Sequence, residues 1–247
     1  MDIWKYYAIT HRDHVIMNPI SSAALDEVLD LVSLRPGGRV LDVGCGKAEL
    51  LLRLARRGIA EGVGVELSPY TAKEARDRVR AQAAEAVVKI LELDGAAYAA
   101  EPESFDLTSC LGASWIFGGF RGTLQALARW TRPRGWVLVA EPFWRSPPDP
   151  AYLASKGLQA DQIGSHHSNV TDGEAAGLLP LYARAAEATE WDLYEGLQWR
   201  AAEEWALQNP EDADVTELLC KMRESRNAFL RWGRECLGDG LYLFRKS

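Results

Sequence analysis

Cysteine is scarce here: four residues in 247 (Cys45, Cys110, Cys220, Cys236), none in a Cys-x-x-Cys pair. That spacing excludes a disulfide scaffold and fits reduced thiols in the cytoplasm, the compartment expected here. Histidine is equally sparse, and His166-His167 has no acids or cysteines at metal-ligand spacing, so no metal site is expected. Positive charge is in deficit, with 28 Lys and Arg against 35 Asp and Glu, a net charge of −7. Such a surface does not draw in phosphate backbones, which argues against nucleic acid as a partner. No apolar run is long enough to cross a bilayer, so no membrane partner is expected. Met1-Asp2-Ile3-Trp4-Lys5 lacks the basic and apolar regions of a secretory signal. Internal repeats and low-complexity tracts are also missing.

What is present is an ordinary globular balance, 47% hydrophobic and 26% charged, in a chain long enough for one large domain with a modest cap. Nine tryptophans stand out, as core or as the walls of a small-molecule pocket. Short β-branched runs alternate with helical stretches. Ser21–Val32 reads as a helix, broken by Arg35-Pro36-Gly37-Gly38 before a strand at Val40–Val43. A helix over Ala48–Arg57 stops at Gly58. Strands follow at Gly62–Leu67, Val87–Leu93, Phe105–Leu111 and Trp136–Ala140, with a long helix over Pro69–Ala86. This alternation predicts an α/β fold whose parallel sheet is covered on both faces.

Beyond Glu141 the pattern loosens. Thr171-Asp172-Gly173-Glu174 has capping-box spacing and predicts a helix start. A sixth strand is expected near Glu187–Trp191, helices over Glu195–Gln208 and Asp212–Cys236, and a last strand over Gly240–Phe244. Residues 1–35 are expected to form a helical cover. Residues 36–247 would form the main domain, with a helical cap inserted at 143–238.

The decisive segment is Val40-Leu41-Asp42-Val43-Gly44-Cys45-Gly46-Lys47-Ala48-Glu49-Leu50: a strand, a glycine pair, then a helix. Glycines let the backbone turn tightly against a ligand, and the helix start offers free N–H groups. A phosphate-binding P-loop needs Ser or Thr after the lysine, and Ala48 stands there. A dinucleotide loop needs a small residue at position 49, where Glu49 is bulky and negative. S-adenosylmethionine (SAM) carries no phosphate, and its zwitterionic, sulfonium-bearing end suits acidic strand ends better.

These residues resemble the first motif of the class I SAM-dependent methyltransferases: an acid, then Gly-x-Gly-x-Gly, matched by Asp42, Gly44, Gly46 and the position of Ala48, where the family has glycine. The resemblance implies a Rossmann-like sheet of seven mostly parallel strands with helical cover, and SAM as cofactor. It places Glu66, twenty residues after Gly46, on the ribose hydroxyls, Asp94 at the adenine amino group, and the Leu111 backbone at the methionine end. The expected cofactor-binding set is therefore Asp42, Gly44, Cys45, Gly46, Glu66, Leu67, Asp94, Gly95 and Leu111. The likeness is most specific over residues 36–142. A looser one extends to uncharacterised bacterial methyltransferases with similar Trp115–Phe120 and Glu141–Trp144 segments.

The acceptor is expected beyond the ends of the fourth and fifth strands. Trp115 and Phe117 are candidates to border the methyl group, or Trp115 packs the sheet edge. Glu141 is a candidate base or anchor, or a structural acceptor of N–H groups. Of His11 and His14, one turn apart, His14 is the candidate to reach the acceptor, against plain solvent exposure. Trp191, Tyr194, Trp199 and Trp205 read mainly as core, with one or two in the acceptor pocket. The function this predicts is methyl transfer to a small-molecule acceptor by a monomer or homodimer. A nicotinamide-dependent oxidoreductase, which shares the loop, and a non-catalytic SAM-binding module are the alternatives.

Overall fold

Successive residues of each central strand bury themselves on opposite faces of one sheet, as a period-two backbone requires. In the computed structural model, which describes residues 1–247, Val40 of β1 (Arg39–Val43) and Leu107 of β4 (Phe105–Leu111) face one helical layer. That layer is α2 (Ser22–Leu31) and α3 (Glu49–Arg56). Leu41 and Val43 face the opposite layer, where α5 (Phe120–Trp130) packs through Leu124 and Leu127. The continuous apolar character of β1 follows from burial on both sides.

The remaining strands are β2 (Glu61–Glu66), β3 (Val88–Glu92), β5 (Thr131–Trp144), β6 (Leu178–Ala185) and β7 (Leu237–Lys246). Their order is β3-β2-β1-β4-β5-β7-β6, and β7 runs antiparallel to both neighbours. Strand order therefore reverses between β1 and β4, which opens a crevice at their carboxyl ends. Helix α4 (Pro69–Ala81) links β2 to β3; Ser68 caps it by accepting from Thr71 N–H, with Pro69 at its first position. The cover consists of α1 (Ile3–Thr10), α6 (Pro150–Lys156), α8 (Ala188–Gln208) and α9 (Val215–Ala228), with α1 and α9 both packed on α8.

Three expectations are corrected. The sixth strand is Leu178–Ala185, and Glu187–Trp191 instead starts α8, where Glu190 reaches back to accept from Glu187 N–H at 2.7 Å. Pro180 disguises the true strand, because proline lacks the N–H of a ladder and is accommodated where that donor is not needed, as on the edge strand β6 at its register shift between Pro180 and Tyr182. Thr171–Glu174 opens no helix: α7 (His166–Ala175) begins earlier, capped by Ser165 and Ser168, and takes in the His166-His167 loop. The fifth strand runs on to Trp144 because β7 pairs along it from Trp136↔Arg245 to Trp144↔Leu237. The span 143–238 thus contributes β6 and α7 to the sheet layers as well as helices to the cover.

Candidate functional site

The chain leaves β1 through Gly44, Gly46 and Ala48, all with positive φ (69°, 53° and 60°). A Cβ on Gly44 would lie 2.7 Å from Ala113 Cβ, so the loop passes too close to the end of β4 for any side chain. Ala48 adopts the left-handed conformation at the start of α3 with its methyl buried, which accounts for glycine being the usual residue of the motif.

Above this loop lies a cavity of about 510 Å³, walled by Gly44, Gly46, Glu66, Leu67, Leu93, Gly95 and Leu111 from the sheet ends. The roof is Trp4, Tyr7 and His11 from the N-terminal segment, Tyr194 from α8, and Trp115. The volume lies within the roughly 300–1,000 Å³ of small-molecule sites. Glu66 receives Gly46 N–H at 3.0 Å and Ser68 N–H at 2.8 Å. Burial raises its pKa against those two N–H contacts. Since a carboxylate offers about four acceptor positions, half remain for a ligand.

Asp42 sits beneath the loop, buried, receiving Ser109 Oγ–H at 2.7 Å; burial pushes its pKa up to about 7, opposed by that hydrogen bond. It lines a small adjoining pocket with Cys45, Asn18 and Leu111, on the far side of the glycine loop. Asn18 donates to the Leu111 carbonyl at 3.3 Å.

The roof is tied to the loop. Lys47 Nζ, buried, donates to the carbonyls of His11 (2.9 Å) and Arg12 (3.0 Å) and pairs with Glu74 at 2.8 Å. His11 Nδ1 faces the Tyr7 carbonyl at 3.3 Å, which makes it the protonated nitrogen, and Nε2 receives the Tyr194 hydroxyl at 3.0 Å. Burial, with help from His14, lowers the His11 pKa to about 3, so the ring is neutral.

Gly44, Gly46, Glu66, Leu67, Gly95 and Leu111 thus converge on one cavity, with Asp42 and Cys45 directly below it. Gly95 is needed there, since a Cβ would meet Val43 Cγ1 at 2.6 Å. Asp94 is exposed and caps the turn at Gly95–Ala97 by accepting from Ala96 N–H at 2.9 Å, while its neighbours Leu93 and Gly95 form the wall.

Among the acceptor-side candidates, Trp115 lines the cavity and is 60% exposed, so it does not pack the sheet edge. Phe117 points away, its ring 6.0 Å from Trp130 in the core. Glu141 is outside the cavity wall, 7% exposed behind the Ser114–Phe117 turn, where it accepts from Ser114 Oγ at 3.0 Å. Burial raises its pKa to about 7. His14 is buried as well, and its Nε2 donates to the Tyr194 carbonyl (2.9 Å) in a separate groove; His11 is the histidine facing the cavity. Sequence reasoning missed Tyr7, Asn18 and the pinning role of Lys47. A lone lysine, asparagine or tyrosine carries no spacing signal; the partners that define these three come from distant segments.

A family described as a methyltransferase domain matches residues 40–135. Over the whole chain, the structure is similar to a SAM-dependent methyltransferase from Geobacter sulfurreducens, solved with S-adenosyl-L-homocysteine, at TM-score 0.91 and 28% identity, covering 100% of this chain and 99% of that one. A SAM-dependent methyltransferase from Thiobacillus denitrificans in the same complex gives TM-score 0.90 and 30% identity over 100% of both chains. The uncharacterized protein YjhP of Escherichia coli K12 is 29% identical over 248 residues, 98% of each chain.

Proposed function

This chain belongs to the class I SAM-dependent methyltransferases, and on that premise we propose that it methylates a small molecule admitted beneath its helical cover. The observation carrying the small-acceptor reading is the roof: Trp4, Tyr7, His11 and Tyr194 close over the sheet ends, which favours a compact ligand over a polymer.

Bound SAM supplies an electrophilic methyl group on a sulfonium. The free acceptor positions of Glu66 suit the two ribose hydroxyls, because a carboxylate takes neighbouring O–H groups as charge-assisted hydrogen bonds. Asp42 adds negative potential beneath the methionine end, and an ammonium arriving there would draw its pKa back down. Asn18 holds the Leu111 carbonyl in place at the same end. The rings of Trp115, Tyr7 and Tyr194 offer faces to a cation, each worth roughly 0.5–2 kcal/mol.

Tyr194 and His11 form a neutral pair at the cavity wall. The Tyr194 oxygen keeps its proton, since burial raises its pKa, and it gives an incoming nucleophile an uncharged hydrogen-bonding partner. Glu141 acts through Ser114, holding the turn that presents Trp115. The main work of this site is alignment and water exclusion.

Calorimetry with SAM, followed by transfer of a labelled methyl group across a metabolite library, tests the reading. Turnover of a low-molecular-weight acceptor is expected. Methylation confined to nucleic acid or protein would overturn the small-acceptor proposal, and no heat with SAM would overturn the site.

A further inference from the structure

A second and larger cavity, about 1170 Å³, opens on the other side of α1 between α6, α8 and the end of α9. Tyr7 stands in the walls of both cavities, so the second space adjoins the roof of the cofactor cleft. Its charge is opposite to that of the chain. Lys156, Lys221 and Arg231 line it, against a single acid, Glu224, in a protein of net charge −7.

None of these three cations has a carboxylate oxygen within 4.0 Å, although acids outnumber bases by seven (35 − 28). Glu224 is turned to the Cys220 thiol at 3.4 Å instead. Each cation rests near an aromatic ring: Lys221 Nζ is 4.4 Å from the Tyr6 centroid, Arg231 5.3 Å from Trp232, and Lys156 6.0 Å from Tyr152. Arg231 and Trp232 lie on a π-helical turn, Phe229–Gly233, the kind of local widening that recurs at functional sites. Lys156 is the half-buried member, donating to Ser225 Oγ at 2.8 Å; burial lowers its pKa, with Glu195 pulling the other way. A half-buried ammonium with its nearest acid, Glu195, beyond ion-pair distance is only partly compensated, and an arriving anion in direct contact would ease that penalty.

We propose that this second cavity holds the anionic end of the methyl acceptor, a carboxylate or phosphate on an aromatic body, with Lys156 as the inner anchor and Lys221 and Arg231 at the mouth. This rests on the methyltransferase reading and narrows its substrate class. The flat aromatic walls take the body of the acceptor, and its nucleophilic end extends past Tyr7 toward the cofactor cleft.

The test is calorimetry on the full chain, first with S-adenosylhomocysteine alone, then with benzoate, phenyl phosphate and benzylammonium added to that complex. At least one anion is expected to bind, and benzylammonium is not. Benzoate and phenyl phosphate, titrated separately, distinguish carboxylate from phosphate. Lys156→Gln should weaken anion binding about tenfold or more, the loss of one charged hydrogen bond, with S-adenosylhomocysteine affinity unchanged. The double variant Lys221→Gln with Arg231→Gln, both exposed side chains, should weaken it as well with the melting temperature little changed. Equal anion binding by wild type and both variants, or no anion binding at all, would overturn the proposal. A failure of S-adenosylhomocysteine to bind, with anion binding intact, would strike the methyltransferase reading instead.

Discussion

Lys47 reaches from the glycine loop to the carbonyl of His11, 2.9 Å away, and so anchors the N-terminal roof to the floor of the cleft at the strand ends. The same ammonium takes the Arg12 carbonyl and the Glu74 carboxylate, which satisfies its three donors. Glycine loop and roof are thereby one mechanical unit.

Lys47→Met keeps the length of the side chain and removes the donors. Two carbonyls then lose a charged partner, at a cost of about 1–3 kcal/mol in stability, and the roof loosens. A lower melting temperature and at least severalfold weaker SAM binding are expected. Unaltered SAM affinity in calorimetry would show that the roof closes without this tether.

Glu66→Gln tests the ribose assignment. The amide has one acceptor oxygen where the carboxylate has two, and it must already serve Gly46 and Ser68. Affinity for SAM should drop by about 10- to 100-fold, the loss of charge-assisted hydrogen bonds of roughly 1.5–3 kcal/mol. Binding within twofold of wild type would remove Glu66 from the site.

Trp115→Ala separates catalysis from folding. The indole is 60% exposed, so its removal should leave the melting temperature nearly unchanged. The kcat/KM value should drop about tenfold through the lost aromatic face and looser acceptor alignment. Steady-state kinetics at full activity would show that this ring does not border the reaction.

Asp239 should make the protein less stable as pH rises. Its side chain is 5% exposed, one carboxylate oxygen has no partner, and burial with the nearby Glu141 pushes its pKa up to about 8. Such a group contributes stability fully below its unfolded value near 3.8, and that contribution is lost as pH rises through about 8. Glu141 and Asp42, both raised to about 7, act in the same direction. The lowered pKa of His11 acts oppositely, but only below its ordinary value of 6.5. Between pH 6.5 and 8.5 the melting temperature should therefore decline by several degrees, and Asp239→Asn should flatten the slope. A wild-type profile that is level over this range would contradict the burial argument.

Much of the sheet was legible in the residues. The strand ending at Val43, the loop through Gly44 and Gly46, and the acids closing the second and third strands announce themselves by local pattern. Each depends on neighbours within a few positions: a β-branched run, a glycine at a tight bend, a proline at a helix start. Leu178–Ala185 stayed hidden because proline reads locally as a strand breaker, and the edge position and bulge that accommodate Pro180 are properties of the assembled sheet. His11 and His14 look alike in sequence, one turn apart, and only the packing of α8 distinguishes them. His11 meets Tyr194 across 183 residues of chain.

The amino-acid order alone determined the α/β layering, the glycine turn and the acid at the end of β2, because these follow from periodicity and backbone freedom over short stretches. Tertiary structure decided which histidine faces the cleft, that Glu141 supports a turn from behind it, that Lys47 pins the roof, and that three unpaired cations share one cavity. Those outcomes depend on side chains meeting through space after the cover has packed, and no local pattern encodes such a meeting.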